Sequence, residues 1–204
     1  MKMPARKTGA DRKREIEKVA LELAYLHSPG NVSTGMIASR LGLTQPAIYK
    51  HFRRKEDIWC AVSNSLAKKI RENITLAAEA RMTPVSNLKQ LVLAHLALAA
   101  QNPAMPELMT MRGDAPGLAA FQKPILKAMA AFRQELEVLV SRAVDAKVFR
   151  ENLDAQDAAL LIMGLIQSLV LRMLVKRNSE ILQKDGARLL DLLLTGFMHT
   201  GEEK

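Results

Sequence analysis

The stretch "TGMIASRLGLTQPAIYKHF", residues 34–52, decides the fold of the first third of the chain. Ala38 is small enough to stand where two helices cross closely, and Gly42 takes a positive φ in the turn between them without strain. The apolar contact that fixes the crossing angle comes from Ile37, Leu41, Leu43 and Ile48. These spacings predict a helix-turn-helix, whose second helix is free to lie in the major groove of DNA.

The positive charge of the chain is concentrated around this motif. Residues 1–71 hold 15 Lys and Arg against six Asp and Glu, a net charge of +9, whereas residues 72–204 hold 15 of each. Such asymmetry favours an anionic partner for the first third alone, either nucleic acid or a membrane surface. A basic tail that only keeps the protein soluble is the alternative. The helix-turn-helix in the same segment favours DNA.

The remainder of the chain has helical periodicity and no alternating strand pattern. Pro, Gly, Asn and Asp residues interrupt this pattern, and the segments between them predict helices at about 12–26, 34–41, 44–52, 56–80, 84–101, 104–112, 118–147, 154–176 and 186–199. We therefore predict an all-α protein of about nine helices, in which a three-helix DNA-binding unit is followed by a helical bundle.

Several classes of protein are disfavoured by what the sequence lacks. It has no Gly-rich phosphate loop, paired-His metal motif or nucleophile elbow, so we predict no enzyme, no cofactor and no metal site. A single cysteine, Cys60, excludes a disulfide framework, and no partner cysteine supports a role in sensing oxidants. The N-terminus has no secretory h-region, and the apolar stretch 158–171 is too short to span a bilayer. A cytoplasmic protein without a membrane partner is expected.

The stretch "LTQPAIYKHFRRKEDIWCAV", residues 43–62, resembles the TetR family of bacterial transcriptional regulators. Members of that family show a Thr or Ser cap, an apolar residue, Tyr, a basic or polar pair and Phe, before a Lys-acidic pair opens the fourth helix. The resemblance covers roughly residues 12–70. Two departures are Ser28-Pro29-Gly30, where many relatives have Gly and an aromatic residue, and Arg53-Arg54, where many have Pro-Ser.

The resemblance, together with base-edge chemistry, assigns roles in DNA binding. Gln45, Ala47 and Lys50 would face bases, as Gln pairs with adenine, Lys with guanine and Ala with a thymine methyl group. Thr44 would cap the helix, Tyr49 and His51 would contact the DNA backbone, and Lys55 would contact a phosphate. The full predicted set of DNA-binding residues is Thr34, Thr44, Gln45, Pro46, Ala47, Tyr49, Lys50, His51 and Lys55. Packing of Tyr49 and solvation of Lys50 are the alternatives. Further phosphate or minor-groove contacts are expected from a disordered tail that carries Lys2, Arg6, Lys7, Arg12, Lys13 and Arg14, unless the tail is merely solvated.

The resemblance also implies two tasks for the C-terminal part. The divisions are a basic disordered tail (1–10), a helix-turn-helix domain (11–55, motif 33–52) and an effector-binding and dimerisation domain (56–204). Because helices 154–176 and 186–199 are apolar around more than one stripe, we predict a two-fold homodimer through Leu161, Leu165, Ser168, Leu169, Leu190, Leu193 and Phe197. An unusually apolar core helix in a monomer is the alternative.

An effector pocket is the second expected task. Its predicted lining is Trp59, Val62, Leu66, Leu91, His95, Met105, Met109, Phe121, Met129 and Met163, because Met-rich walls suit an apolar, adaptable site. Each of these side chains could instead belong to an ordinary core, and His95 could be a hydrogen-bonded buried histidine.

The sequence thus predicts a cytoplasmic, nucleoid-associated, homodimeric regulator of transcription. Its partners would be a palindromic double-stranded DNA operator and a small, hydrophobic effector that releases it as a repressor. The alternative is an architectural DNA binder of the same fold that needs no effector. The operator sequence, the regulated genes and the effector's identity are not encoded in any motif.

Overall fold

A computed structural model describes residues 8–111 and 118–199, apart from the side chains of residues 118 and 119. Within these ranges the chain is almost entirely helical, which confirms the predicted fold class. The helices are α1 (Gly9–His27), α2 (Thr34–Leu41), α3 (Gln45–Tyr49), α4 (Lys55–Glu79), α5 (Pro84–Gln101), α6 (Met105–Thr110), α7 (Leu118–Asp145), α8 (Ala155–Lys176) and α9 (Glu180–Thr195).

Contacts divide the chain into two compact units. The first comprises Met1–Leu66 and Ala104–Ile125, and the second comprises Ala67–Pro103 and Leu126–Lys204. The division within α4 falls eleven residues after the predicted boundary at 55, because the buried side chains of Ile58, Val62 and Leu66 belong to the first unit.

The start of α1 differs from the prediction of a disordered tail over residues 1–10. Thr8 Oγ1 accepts a hydrogen bond from the Asp11 N–H at 3.1 Å, and the Asp11 carboxylate accepts one from the Thr8 N–H at 3.3 Å. This capping box satisfies two backbone donors at once, so the helix begins at Gly9. Residues 1–7, which include Lys2, Arg6 and Lys7, lie outside the described residues.

The remainder of α1 follows its predicted apolar face. Ile16, Val19, Ala20 and Leu23 are all buried on that face. The helix ends before Ser28, which has a φ of 65° and leads into a short 3-10 turn over Pro29–Asn31.

In the second unit α9 packs closely on α5. A Cβ placed on Gly186 would come within 2.7 Å of Leu96 Cδ1, so glycine permits this approach. The helix begins at Glu180, six residues before the predicted start, because the Asn178 side chain accepts a hydrogen bond from the Glu180 N–H at 2.9 Å. The sequence predicts a polar connection in this place, yet Leu182 within it is fully buried.

The helix α8 is longer than the apolar stretch 158–171 on which the prediction about membranes rests. It has 22 residues and, by length and composition alone, is apolar enough to cross a membrane. Only 33% of its most apolar window is buried within the protein. Core helices of soluble proteins pass the same test. This helix differs from a fully buried core helix because it leaves a large apolar surface exposed.

Candidate nucleic-acid interface

The turn between α2 and α3 has the geometry that the spacing predicts. Gly42 adopts the left-handed conformation with a φ of 65°, and the Leu43 N–H donates to the Ala38 carbonyl at 2.8 Å. A Cβ on Gly42 would meet nothing within 4 Å, so glycine is favoured here by backbone conformation and not by crowding. Ala38 and Ile48 are buried in the shared contact between the two helices.

The two helices of the motif begin in different ways. At α2, Ser33 Oγ accepts a hydrogen bond from the Met36 N–H at 3.1 Å. At α3, Thr44 occupies the cap position, but its hydroxyl makes no capping hydrogen bond, so that part of the prediction is wrong. The reason is local: Pro46 has no N–H, and the Ala47 N–H donates to the Thr44 carbonyl at 3.0 Å. The Thr44 hydroxyl therefore stays available to a ligand.

The short helix α3 separates buried from exposed side chains. Ile48 is fully buried and Phe52, just beyond the helix, is only 6% exposed, so both anchor the segment. Gln45 and Lys50 are exposed and Ala47 is half-buried, which leaves the predicted base-reading side chains on an accessible surface. Pro46 and Tyr49 are exposed beside them, and His51 is half-buried.

Thr34 is placed differently from the other predicted DNA contacts. Only 5% of its surface is exposed, and its Oγ1 accepts a hydrogen bond from Gln45 Nε2 at 2.7 Å. The same Oγ1 lies 3.3 Å from Tyr49 Oη. Thr34 is therefore wrong as a direct surface contact and instead connects two residues that are exposed. Sequence spacing gives no signal for this contact, because it joins positions 11 and 15 residues apart across a turn.

Several Lys and Arg residues near the motif make contacts with neutral or acidic neighbours. Lys55 Nζ donates to the Gly30 carbonyl at 3.3 Å, and Lys13 Nζ lies 5.5 Å from the centre of the Phe52 ring. At the start of α4, the Asp57 carboxylate accepts from the Arg54 N–H at 3.0 Å, which is one half of a capping box.

The basic residues at 12–14 belong to α1 and not to a disordered tail. Arg12 pairs with Glu15 at 2.7 Å, and Arg14 pairs with Asp11 at 3.2 Å. The Arg14–Asp11 pair is exposed, whereas the Arg12–Glu15 pair is partly buried. An exposed pair contributes about 0–1 kcal/mol, so a DNA phosphate can compete for Arg14 at little cost.

The residues predicted to form a dimer interface fall into three groups. Leu161 and Ser168 are exposed and Leu165 and Leu193 are half-buried, whereas Leu169, Leu190 and Phe197 are buried inside the protomer. The last three are corrections: they belong to the protomer's core and have almost no surface to offer a partner.

Exposed apolar residues that the prediction missed are Leu160, Leu171 and Val175 on α8 and Leu192 on α9. Helical steps of three or four residues along α8 link Leu161 to Leu171 and Val175, and that periodicity is the signal that could have found them.

The predicted pocket residues are mostly buried within their own units. In the first unit Trp59, Val62, Leu66, Met105 and Phe121 are buried and Met109 is half-buried; in the second, Leu91 and His95 are buried and Met129 and Met163 are half-buried. None of them lines the cleft of about 640 Å³ in the second unit. That cleft is lined instead by Arg71, Lys127, Arg133, Glu137, Gln134 and three alanines, so its walls favour an anionic group.

His95 is the most unusual polar residue of the second unit. Its ring centre lies 4.4 Å from that of Phe132, and burial lowers its pKa to about 4, so the imidazole is neutral at pH 7. Its Nδ1 is buried without a hydrogen-bond partner among the described residues. Buried polar atoms are normally paired, so this nitrogen suits one hydrogen bond to a ligand.

Cys60 does not have the surroundings of a redox sensor. Burial first, and then the charge of Asp57, raises the pKa of its thiol, whereas sensing requires a lowered pKa. Across residues 8–111 and 118–199, no group of three or more His, Cys, Asp or Glu side chains is arranged to hold a metal ion.

A basic helix-turn-helix with an accessible reading surface, followed by an all-helical unit, defines a DNA-binding regulator. Residues 16–62 match the family described as "Bacterial regulatory proteins, tetR family". The chain is 25% identical over 203 residues to the HTH-type transcriptional regulator AcrR of Shigella flexneri, covering 95% of this chain and 94% of that protein.

Solved structures agree in fold. The ketosteroid transcriptional regulator KstR2 of Mycobacterium tuberculosis superimposes with a TM-score of 0.76 at 17% identity, covering 93% of this chain and 96% of that one. The regulator FadR of Bacillus subtilis in complex with stearoyl-CoA gives 0.69 at 18% identity, covering 90% and 98%. The match to the tetR family covers residues 16–62, and the similarity of the chain to these solved structures is a similarity of fold.

The lowered pKa of His95 makes stability depend on pH. The unfolded chain protonates this histidine below about pH 6.5, while the folded chain resists until about pH 4. The unfolding free energy should therefore fall by about 2 kcal/mol between pH 7.5 and pH 5 because of this residue. Urea unfolding of the wild type and His95→Gln should differ in slope over that range, the variant being flatter. An NMR titration that places the His95 midpoint near 6.5 would refute the prediction.

Proposed function

We propose that the protein is a homodimeric repressor that binds a palindromic operator in the bacterial cytoplasm and is released by a small, hydrophobic effector. The observation that carries the proposal is the accessible reading surface of α3, with Gln45, Ala47 and Lys50, in the part of the chain that holds the net charge of +9. Base contacts give sequence preference, whereas the surrounding cations give affinity for any DNA.

The reading surface offers groups that suit three of the four bases. Gln45 can pair with adenine, Lys50 with the O6 and N7 acceptors of guanine, and Ala47 with a thymine methyl group. Thr44, Tyr49, His51 and Lys55 stand around these residues, where hydroxyl, imidazole and ammonium groups suit the phosphate backbone. Base contacts from the first set and phosphate contacts from the second would together give specific recognition of a short half-site.

A second copy of the chain is the partner best suited to the exposed apolar surface of α8. Leu160, Leu161, Leu171 and Val175 recur on that surface at helical spacing, and Gly164 among them has open space around its Cα. Two such helices related by a two-fold axis would cover each other's leucines, and the same axis would present α3 twice to an inverted repeat.

The effector is expected to be mainly apolar with a hydrogen-bonding group. The neutral His95, which is buried against the tilted ring of Phe132, has an unused Nδ1 that suits such a group. The cationic cleft of Arg71, Lys127 and Arg133 would accept an anionic part of the same molecule or of another one. A fatty acyl-CoA combines these chemistries, and the solved structure of FadR from Bacillus subtilis is a complex with a ligand of this class, stearoyl-CoA.

Selection from a random duplex library tests operator reading. The wild type should enrich an inverted repeat whose half-sites are read by Gln45, Ala47 and Lys50. Lys50→Ala should lose preference at one base pair per half-site, by about fivefold or more, because one base contact is worth about 1–3 kcal/mol. The matched control is Lys68→Ala, which removes an exposed lysine of α4 that pairs with Glu72 at 3.6 Å and should leave the preference unchanged.

Two other results would contradict the proposal. Enrichment of no motif, with binding that depends only on salt, would favour the architectural alternative. Equal changes of preference in Lys50→Ala and Lys68→Ala would show that α3 does not read the bases.

The dimer is tested by charge substitutions on the α8 surface. Leu161→Glu combined with Leu171→Glu should convert the dimer to a monomer in light scattering, because two buried carboxylates per protomer carry a large desolvation cost. Leu76→Glu on α4 is the control, since Leu76 is 60% exposed but lies on another helix. A wild-type monomer, or dissociation of the control as well, would rule out this interface. Wild-type protein that partitions onto lipid vesicles would indicate that α8 serves a membrane instead.

Release by an effector is tested with the selected operator. Stearoyl-CoA should dissociate the wild-type complex in fluorescence anisotropy, while coenzyme A alone, which lacks the apolar chain, should not. His95→Phe keeps an aromatic ring but removes the ring nitrogen, so it should require about tenfold more ligand, as expected for loss of one buried hydrogen bond. Failure of stearoyl-CoA and of a ketosteroid to release the DNA would count against an apolar effector.

A further inference from the structure

The side chains of Thr34, Gln45 and Tyr49 form one connected group at the surface of the motif. Gln45 and Tyr49 are the first and last residues of α3, four positions apart, so both point to the same side of that helix. Thr34, the first residue of α2, lies beneath them with its Oγ1 at 2.7 Å from Gln45 Nε2 and 3.3 Å from Tyr49 Oη. The buried hydroxyl thus joins two exposed side chains.

We propose that Thr34 is a positioning residue, which holds Gln45 in the rotamer that reads a base and links it through Tyr49 to a DNA phosphate. The inference rests on the proposed operator reading and names a specificity determinant that does not itself contact a base. The positioning role is inferred from the number of hydrogen-bond donors and acceptors that Thr34, Gln45 and Tyr49 carry.

The amide of Gln45 has enough hydrogen-bonding groups for both tasks. It carries two N–H donors and one carbonyl acceptor. One N–H is used by Thr34, which leaves the other N–H and Oε1 for the N7 and N6 groups of adenine. Within the described part of the chain, no group donates to Oε1, so the base-reading edge is unoccupied.

The direction of the hydrogen bonds also follows from this accounting. Because Thr34 Oγ1 accepts from Gln45, its own proton is free to donate to Tyr49 Oη. The proton of Tyr49 is then free for a phosphate oxygen outside the protein. A phosphate that accepts from Tyr49 would thereby be connected to Gln45 through Thr34.

A purely structural role for the Thr34 hydroxyl is poorly supported. The backbone at the start of α2 is already capped by Ser33, so the helix does not need a second hydroxyl there. A buried hydroxyl requires a partner, and valine would fill the same volume without one. The partners that Thr34 has are both side chains of the recognition helix. An untethered Gln45 would have to lose rotamer freedom when DNA binds, which lowers its power to discriminate bases.

The test compares variants that keep or remove this hydroxyl. Thr34→Ser retains it, Thr34→Val removes it at equal volume, and Gln45→Ala removes the base reader itself. Affinities are measured by anisotropy for the selected operator and for duplexes changed only at the base pair that Gln45 reads. Wild type and Thr34→Ser should discriminate equally, and Thr34→Val should lose about five- to tenfold of that discrimination. Adding Thr34→Val to Gln45→Ala should cause no further loss of discrimination at that base pair.

A measurement without DNA separates this inference from the proposed function. In the free protein, NMR of the Gln45 side-chain amide should show restricted rotation and slow solvent exchange in wild type and Thr34→Ser, both lost in Thr34→Val. Tyr49→Phe should preserve this restriction, because it leaves the bond between Thr34 and Gln45 intact, but should weaken binding to all duplexes alike. Melting temperatures of the variants report folding.

The outcomes are distinct. If the wild type selects no operator, the proposed function fails whatever the amide shows. If it selects one and folded Thr34→Val keeps both its base discrimination and its amide restriction, the positioning role is overturned while operator reading stands.

Discussion

The packing of Ile48 into the first unit is the interaction on which the reading surface depends. Isolated helices of fewer than about a dozen residues are marginal in water, and α3 has only five residues. Its shape is therefore imposed by contacts on its buried side and by the turn at Gly42. The exposed side contributes little to that shape, so it is free to carry residues chosen for DNA chemistry.

The two units differ in the kind of surface that they expose. In the first unit, Asp and Glu side chains pair with some of the cations, and a DNA phosphate can replace the weaker of these ion pairs. Residues 72–204 carry no net charge, and the second unit buries most of its apolar side chains, as in the close approach of α5 and α9 at Gly186. What it leaves unburied is concentrated on α8. Attraction to a polyanion and assembly with an apolar partner are thus kept apart in the chain.

Sequence reasoning was most successful where one local rule decides the structure. The glycine turn at Gly42, the burial of Ile37, Ala38 and Ile48, and the order of the helices all follow from spacing and backbone preference. It failed where two local rules compete, as at Thr44, where Pro46 removes the donor that a cap would use. It also failed for contacts that only the folded chain creates, such as Thr34 with Gln45. The helix α8 is apolar on nearly every side, so its composition alone does not separate the buried face from the exposed one.

The bond between Thr34 and Gln45 also bears on how such a protein diversifies. Residues at 47 and 50 have no side-chain hydrogen bond to other described residues and can be exchanged one at a time as a binding site drifts. Position 45 is constrained differently, because a replacement that cannot donate leaves a buried hydroxyl with one partner fewer. Among homologues, positions 34 and 45 should therefore change together, while 47 and 50 vary independently. New specificities would arise most readily at the two unlinked positions.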